Sequence, residues 1–282
     1  MLLETEYNPS LRILLAEDQP INQKIVLLML QRLGYQADVA DNGLEALKAL
    51  QCQLYDVVLL DVQMPEMDGL EVARWVCQQG QPHQRPYLIA ITAHTVQGDR
   101  ERCLNAGMDR YLSKPLRLQV LAQELSQCKP LPPSTMPLGT VSQEVSAPHS
   151  FGSDVQQAKP DAQAEPDAVD MAVLIAFRQE MGEMGDAVIA ELITCYLEEA
   201  PRLLHTLRTA VNQQDVKTVQ CVAHGLKACS ASLGAIPFSR RCGELEAMAL
   251  SAPIEQITAM MARLESEFTS VKAALSHALK PL

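Results

Sequence analysis

At 282 residues the chain is long enough for about two domains, each able to bury its own core. Its formal charge of −11 argues against a nucleic-acid binder, which needs a basic face to neutralise phosphates. The longest apolar cluster, Ile25 to Leu30, is far short of a membrane span, so no membrane insertion is expected. The opening Met1-Leu2-Leu3-Glu4-Thr5-Glu6 lacks the basic region and apolar core of a secretion signal. Eight cysteines are scattered without a CxxC pair, which reads as reduced, mostly buried thiols of a cytoplasmic protein.

The first part of the chain alternates short apolar runs with helical patterns. Arg12 to Ala16 is an apolar strand ending in Glu17-Asp18. Pro20 opens a helix carrying Ile21, Ile25, Leu28, Met29 and Leu33, stopped by Gly34. Ala37 to Ala40 is a second strand, and a second helix from Asn42 has Leu44, Leu47 and Leu50 as its apolar stripe. Asp56 to Asp61 is a third strand. Its unbroken apolar run, bounded by a turn containing Pro65 and Gly69, fits a strand buried on both faces of a parallel sheet. A helix over Leu70 to Gln79, a strand over Tyr87 to Thr92 and a helix over Gly98 to Ala106 follow. A strand over Arg110 to Leu112 and a helix over Leu116 to Gln127 complete the series. Repeated strand–helix units of this length predict a doubly wound α/β domain with a parallel sheet.

In such a sheet the carboxyl ends of the strands converge on one edge, where open α/β folds place their ligands. Taken alone, Asp61 fits a residue capping the next turn equally well. Together, the strand ends carry Glu17, Asp18, Asp61 and Thr92, with Lys114-Pro115 after the fifth strand. Three carboxylates at close range repel one another unless a cation sits among them, and hard oxygen donors select Mg²⁺ or a similar ion. A hydroxyl and an ammonium beside them suit phosphoryl oxygens.

The stretches Leu14 to Asp18, Leu59 to Gly69, Ile91-Thr92-Ala93 and Leu112 to Pro115 closely resemble the landmarks of the receiver domain of two-component response regulators. The resemblance covers about residues 10 to 128, leaving residues 1 to 9 as a tail. It implies a flavodoxin-like (βα)5 domain with strand order 2-1-3-4-5. It implies Asp61 as phosphoacceptor, forming an aspartylphosphate, with Mg²⁺ held by Glu17, Asp18, Asp61 and the Gln63 carbonyl. Thr92 and Lys114 are implied to contact the phosphoryl group, and a cis bond is implied before Pro115. Tyr111 falls at the family's switch aromatic, although a half-buried strand tyrosine is an equally good reading. The helices after strands four and five are implied as the contact surface of the activated receiver, and the face around His224 as part of a transfer surface.

Residues 129 to 168 hold seven of the seventeen prolines and no sustained periodicity, and read as a flexible tether or a passive spacer. Residues 169 to 282 carry only helical patterns: Met171 to Glu180, Ala187 to Ala210, Val216 to Leu233, Pro237 to Leu250 and Ile254 to Leu279. Short connections between amphipathic helices predict an antiparallel bundle. On the middle helix, Val216, Val219, Val222, Ala223, Leu226 and Leu233 fall on one face. His224 lies opposite and is expected to face solvent among small neighbours, with Gly225 adjacent, so that a partner can approach closely. An exposed histidine is usually mere surface. Lys227, one turn on, can neutralise a phosphoryl group on the ring.

The run Ala223 to Ala235, with Cys242 to Glu246 after it, resembles the histidine phosphotransfer (HPt) motif. The resemblance covers about residues 170 to 280 and implies that His224 is a phosphohistidine site. Ala228 and Cys229 depart from a common glycine and serine but stay small. The remaining histidines, His83, His94, His149, His205 and His277, read as structural or solvated.

The sequence thus points to a phosphorelay protein, partnered by a histidine kinase and by other receiver or HPt proteins, with the architecture of the C-terminal part of hybrid sensor kinases. Met1 favours a free-standing chain. Two alternatives stay open: a phosphorylation-controlled switch in which the receiver regulates the HPt domain by contact alone, and a phosphoester hydrolase built on the acidic cluster. No nucleotide-binding or kinase segment is visible, so phosphorylation from ATP is not expected.

Overall fold

The computed structural model of the protein describes residues 11–79, 85–92, 97–132 and 167–279. The expected tail and most of the expected tether, residues 133–166, lie outside the described residues, as do His83, His94 and His149. Strands β1 (Ile13–Ala16), β2 (Ala37–Ala40), β3 (Val57–Asp61), β4 (Tyr87–Thr92) and β5 (Arg110–Ser113) form one parallel sheet in the order β2-β1-β3-β4-β5. This is the doubly wound order that the resemblance implies. Helices α1 (Pro20–Arg32), α2 (Gly43–Cys52), α3 (Gly69–Gln79), α4 (Gln97–Asn105) and α5 (Leu118–Gln127) alternate with the strands.

Side-chain alternation divides the sheet into two apolar layers. Ile13, Leu15, Val57, Leu59, Ile89 and Ile91 point to one face, which is covered by α1 and α5. Leu14, Ala16, Val58, Leu60, Leu88 and Ala90 point to the other, which is packed with residues of α2 and α3. Both layers being filled explains why β1, β3 and β4 are continuous apolar runs rather than alternating ones. The apolar stripe of α2 differs from expectation. Gly43, Ala46 and Leu47 are its buried residues, whereas Leu44 is 40% exposed. The small Gly43 and Ala46 let this helix approach closely, which turns Leu44 outward.

The second half is helical: α6 (Met171–Met181), a 3-10 turn over Gly182–Met184, α7 (Gly185–Gln213), α8 (Val216–Ser232), α9 (Ile236–Met248) and α10 (Ile254–Ala278). Helix α7 runs past both of its expected ends. Gly185 follows straight on from the 3-10 turn, and the chain leaves the helix only where Gln214 takes a left-handed φ of 57°. Gly234, at φ 78°, ends α8 as expected. The bundle core is centred on Tyr196, Phe238 and Phe268. Phe268 lies 6.1 and 5.8 Å from the other two ring centroids, and the Tyr196 hydroxyl is 2.8 Å from Ser230 Oγ. Val216, expected on the buried face of α8, is instead exposed at the first residue of the helix. No helix among the described residues is long and apolar enough to cross a membrane.

The two halves share one apolar core. The layer under α1 continues without a break into the bundle through Leu192, Ile193 and their neighbours. Helix α1 therefore buries more of its circumference than its own sheet requires: Ile21, Ile25, Val26, Leu28, Met29 and Leu30 are all buried. Ile25, Pro115 and Leu116 face Phe177, Ile189 and Leu192 across a cavity of about 370 Å³. Glu180 of α6 accepts a hydrogen bond from the Leu118 N–H at 3.2 Å, which caps α5 where Arg117 supplies no side-chain cap. The receiver surface that meets the bundle is thus α1 and the β5–α5 connection.

Gly69 sets how closely α3 approaches the end of β3. A Cβ there would lie 2.1 Å from the Asp61 carbonyl oxygen. Gly69→Ala should cost about 1–3 kcal/mol and lower the thermal unfolding midpoint by several degrees. An unchanged midpoint would mean that the backbone approach is not fixed.

Candidate functional site

The parallel register brings the acidic residues together. Ala16 pairs with Leu60 and Asp61 with Ile91, so Glu17 and Thr92 emerge beside Asp61 at the carboxyl edge. Asp61 and Thr92 are buried, and Glu17 is 0% exposed. The cis peptide before Pro115 is present, and the Lys114 ammonium turns back into the cluster, 2.7 Å from Glu17 Oε2 and 2.6 Å from Asp61 Oδ2. Carboxylate oxygens of Glu17, Asp18 and Asp61 all lie within 4.8 Å of one another. Three hard anionic donors at this spacing fit a divalent cation such as Mg²⁺. Gln63 lines the same cavity, and its N–H donates to Asp61 Oδ1 at 3.1 Å.

The electrostatics match that arrangement. Burial and then the Asp61 charge raise Glu17 to about 8. The same two causes, in the same order, raise Asp18 to about 6. Burial alone would pull Lys114 down, but Asp61 and Glu17 more than offset it and hold the ammonium above its ordinary range. Added positive charge is therefore favoured at this edge.

His224 lies across from this edge. It was expected to face solvent but is only 5% exposed. The face of α8 that turns away from the bundle is covered by the β1–α1 connection, a second domain that no single-helix pattern can reveal. One cavity of about 440 Å³ is lined by Asp18, Asp61, Thr92 and Lys114 from the sheet edge and by His224 and Glu246 from the bundle. His224 Nδ1 is 2.9 Å from Glu246 Oε1, and Lys227 donates to Glu246 Oε2, also at 2.9 Å. Burial would raise Glu246, but the His224 hydrogen bond, followed by Lys227, brings it down to about 2. An ionised carboxylate only accepts, so Nδ1 carries the proton and Nε2 is the unprotonated nitrogen. Lys227 thus lies beside His224 as expected, held there by Glu246.

Tyr111 is 40% exposed at the end of the sheet, with the Arg100 guanidinium 5.8 Å over its ring. His205 and His277 are exposed and away from the cavity. Asn22, which donates to Glu17 Oε1 at 2.8 Å, Gln19 and the role of Glu246 all escaped the sequence reading. Asn22 follows the acid pair on the first turn of α1, but that spacing carries no signal of its own. Glu246 meets His224 only through the tertiary packing of α9 on α8.

A strand-end aspartate in an acidic cluster, facing a histidine on a helical bundle, is the arrangement of a two-component phosphorelay module. The comparisons agree. The family model described as response regulator receiver domain matches residues 13–126, and the Hpt domain model matches residues 191–274. The chain thus carries a receiver domain followed by an Hpt domain. It is similar to the sensor protein TorS of Escherichia coli K12, with 30% identity over 91% of this chain and 24% of that protein. It is also similar to the aerobic respiration control sensor protein ArcB of Escherichia coli O157:H7, with 29% identity over 80% of this chain and 26% of that protein. The chain therefore spans only about a quarter of the length of these two relatives. Among solved structures, it is similar to the receiver domain of a sensor histidine kinase from Pseudomonas aeruginosa PAO1 with a magnesium ion in its active site cleft. That likeness has 39% identity over 42% of this chain and 94% of that one, at a TM-score of 0.38.

The Glu246 pairing has a pH signature. Its folded pKa of about 2 lies below the ordinary 4.5, so its stabilisation is complete above pH 4.5 and is lost as the pH falls towards 2. The gap in thermal midpoint between wild type and Glu246→Gln should be full at pH 6 and shrink steadily below about pH 4.5. A gap that stays constant on acidification would contradict the pairing.

Proposed function

We propose that this chain relays phosphoryl groups between Asp61 and His224. The observation that carries the reading is that both residues line one cavity, closed on one side by the receiver edge and on the other by α8. In this reading the Asp61 carboxylate attacks the phosphorus of a phosphohistidine on a histidine kinase. The N–P bond breaks, and an aspartylphosphate forms. The Glu17, Asp18 and Asp61 carboxylates and the Gln63 carbonyl would hold Mg²⁺, which when bound offsets charge on the phosphoryl oxygens. Lys114, already bonded to Asp61, and the Thr92 hydroxyl contact those oxygens. His224 Nε2 then attacks phosphorus, a P–O bond breaks, and the Asp61 carboxylate is regenerated. Phosphohistidine keeps its Nδ1 proton, and the Glu246 carboxylate stabilises the positive ring while Lys227 faces the added phosphoryl oxygens. The chemistry is reversible, so the relay also runs towards Asp61. Tyr111 is the proposed switch aromatic.

Partners in this reading are a histidine kinase upstream and a further receiver or HPt protein downstream, and the site of action is the cytoplasm. All eight cysteines being free thiols supports that location. The near-complete burial of His224 favours a second reading as well, in which the docked receiver covers His224 and phosphorylation controls that contact without internal transfer.

Loading the chain from a small acyl-phosphate donor with Mg²⁺ separates the two. Base-labile label should form on wild type and vanish in Asp61→Asn. Acid-labile, base-stable label should follow on His224, be absent in His224→Gln, and fall at least a hundredfold in Asp61→Asn. Label that reaches Asp61 but never His224 would overturn internal relay in favour of the contact switch.

A further inference from the structure

We infer that Gln19 and Gly225 form a knob and notch that decides which receiver can dock over His224. This rests on the proposed relay but concerns partner choice rather than transfer itself. Gly225 follows His224 in the interior of α8, where a glycine destabilises the helix relative to alanine. A Cβ added at Gly225 would meet three atoms first, and all belong to Gln19 of the receiver: Cδ at 2.5 Å, Nε2 at 2.8 Å and Oε1 at 2.9 Å. The notch is filled from the other domain.

Gln19 can yield only by giving up its present contacts. Its backbone is extended, at φ −97° and ψ 117°, as the following Pro20 requires. Its amide Nε2 donates to Asp18 Oδ2 at 2.9 Å, and the residue is 7% exposed. Its Oε1 is buried without a hydrogen-bond partner, so packing against α8, not polar pairing, holds that end. Moving the side chain aside would remove the donor from Asp18 and loosen the contact beside His224. The pairing therefore sets a size rule. This phosphotransfer surface accepts receivers whose residue after the acidic pair is no larger than glutamine. This receiver in turn requires a glycine directly after the histidine of its partner.

The test uses the full chain with three substitutions. Gly225→Ala favours the helix, so it should leave the bundle folded. It should slow the appearance of label on His224, relative to Asp61, by about tenfold or more. Amide exchange over the first turn of α1 and around His224 should speed up in parallel. Gln19→Ala combined with Gly225→Ala should restore both readouts to within about threefold of wild type, and Gly225→Leu should not be rescued. Wild-type transfer and exchange in Gly225→Ala would overturn the pairing, as would a double variant as impaired as the single. Should wild type itself never label His224, the relay reading fails. Exchange alone then decides the pairing: fast in Gly225→Ala and restored in the double variant supports it, and unchanged exchange rejects it.

Discussion

The Lys114 ammonium lies within hydrogen-bonding distance of both Glu17 and Asp61, and the acidic edge of the sheet depends on it. Two buried carboxylates side by side, with Asp18 as a third, would repel one another strongly in a medium of low polarity. One buried cation reduces that repulsion without removing it, and burial, with the Asp61 charge second, keeps Glu17 and Asp18 above their ordinary ranges. The residual negative charge suits a divalent ion, and the ammonium suits a phosphoryl group. A single arrangement of charge thus makes the edge foldable while keeping it suited to both.

The second constraint is burial. Helices α1 and α8 each carry more apolar or small surface than their own domain needs, and each meets the other domain on the surplus. Their meeting places His224 over the acidic edge. Glu246 then meets two needs at once, fixing the proton of His224 on Nδ1 and holding Lys227 nearby. Glu180 ties the first helix of the bundle to the start of α5, directly after the segment that carries Lys114. Docking and the reactive edge are therefore linked through a few residues of chain.

Much of this was legible in the sequence. Apolar runs of four to six residues between helical patterns mark β1, β3 and β4 unambiguously, because a strand buried on both faces has no polar alternation to hide it. Asp61, Glu17, Asp18, Thr92 and Lys114 could be grouped because a parallel sheet sends all its strand ends to one edge. What the sequence withheld is what depends on a second domain. The solvent-facing side of α8 proved to be a covered one, and the burial of His224 followed. Leu44 turned outward because its small neighbours, not its hydrophobicity, set the depth of α2. Gln19 and Asn22 are ordinary polar residues whose partners are fixed only in three dimensions.

The central claim is that Asp61 and His224 exchange a phosphoryl group within one chain. The most direct measurement is the rate at which label passes from pre-loaded Asp61 to His224 as protein concentration is varied over about a hundredfold. Transfer between residues that share a cavity is first order, and its rate constant should not change with concentration. A rate constant that rises in proportion to concentration would contradict the account, because the group would then be passing between separate molecules.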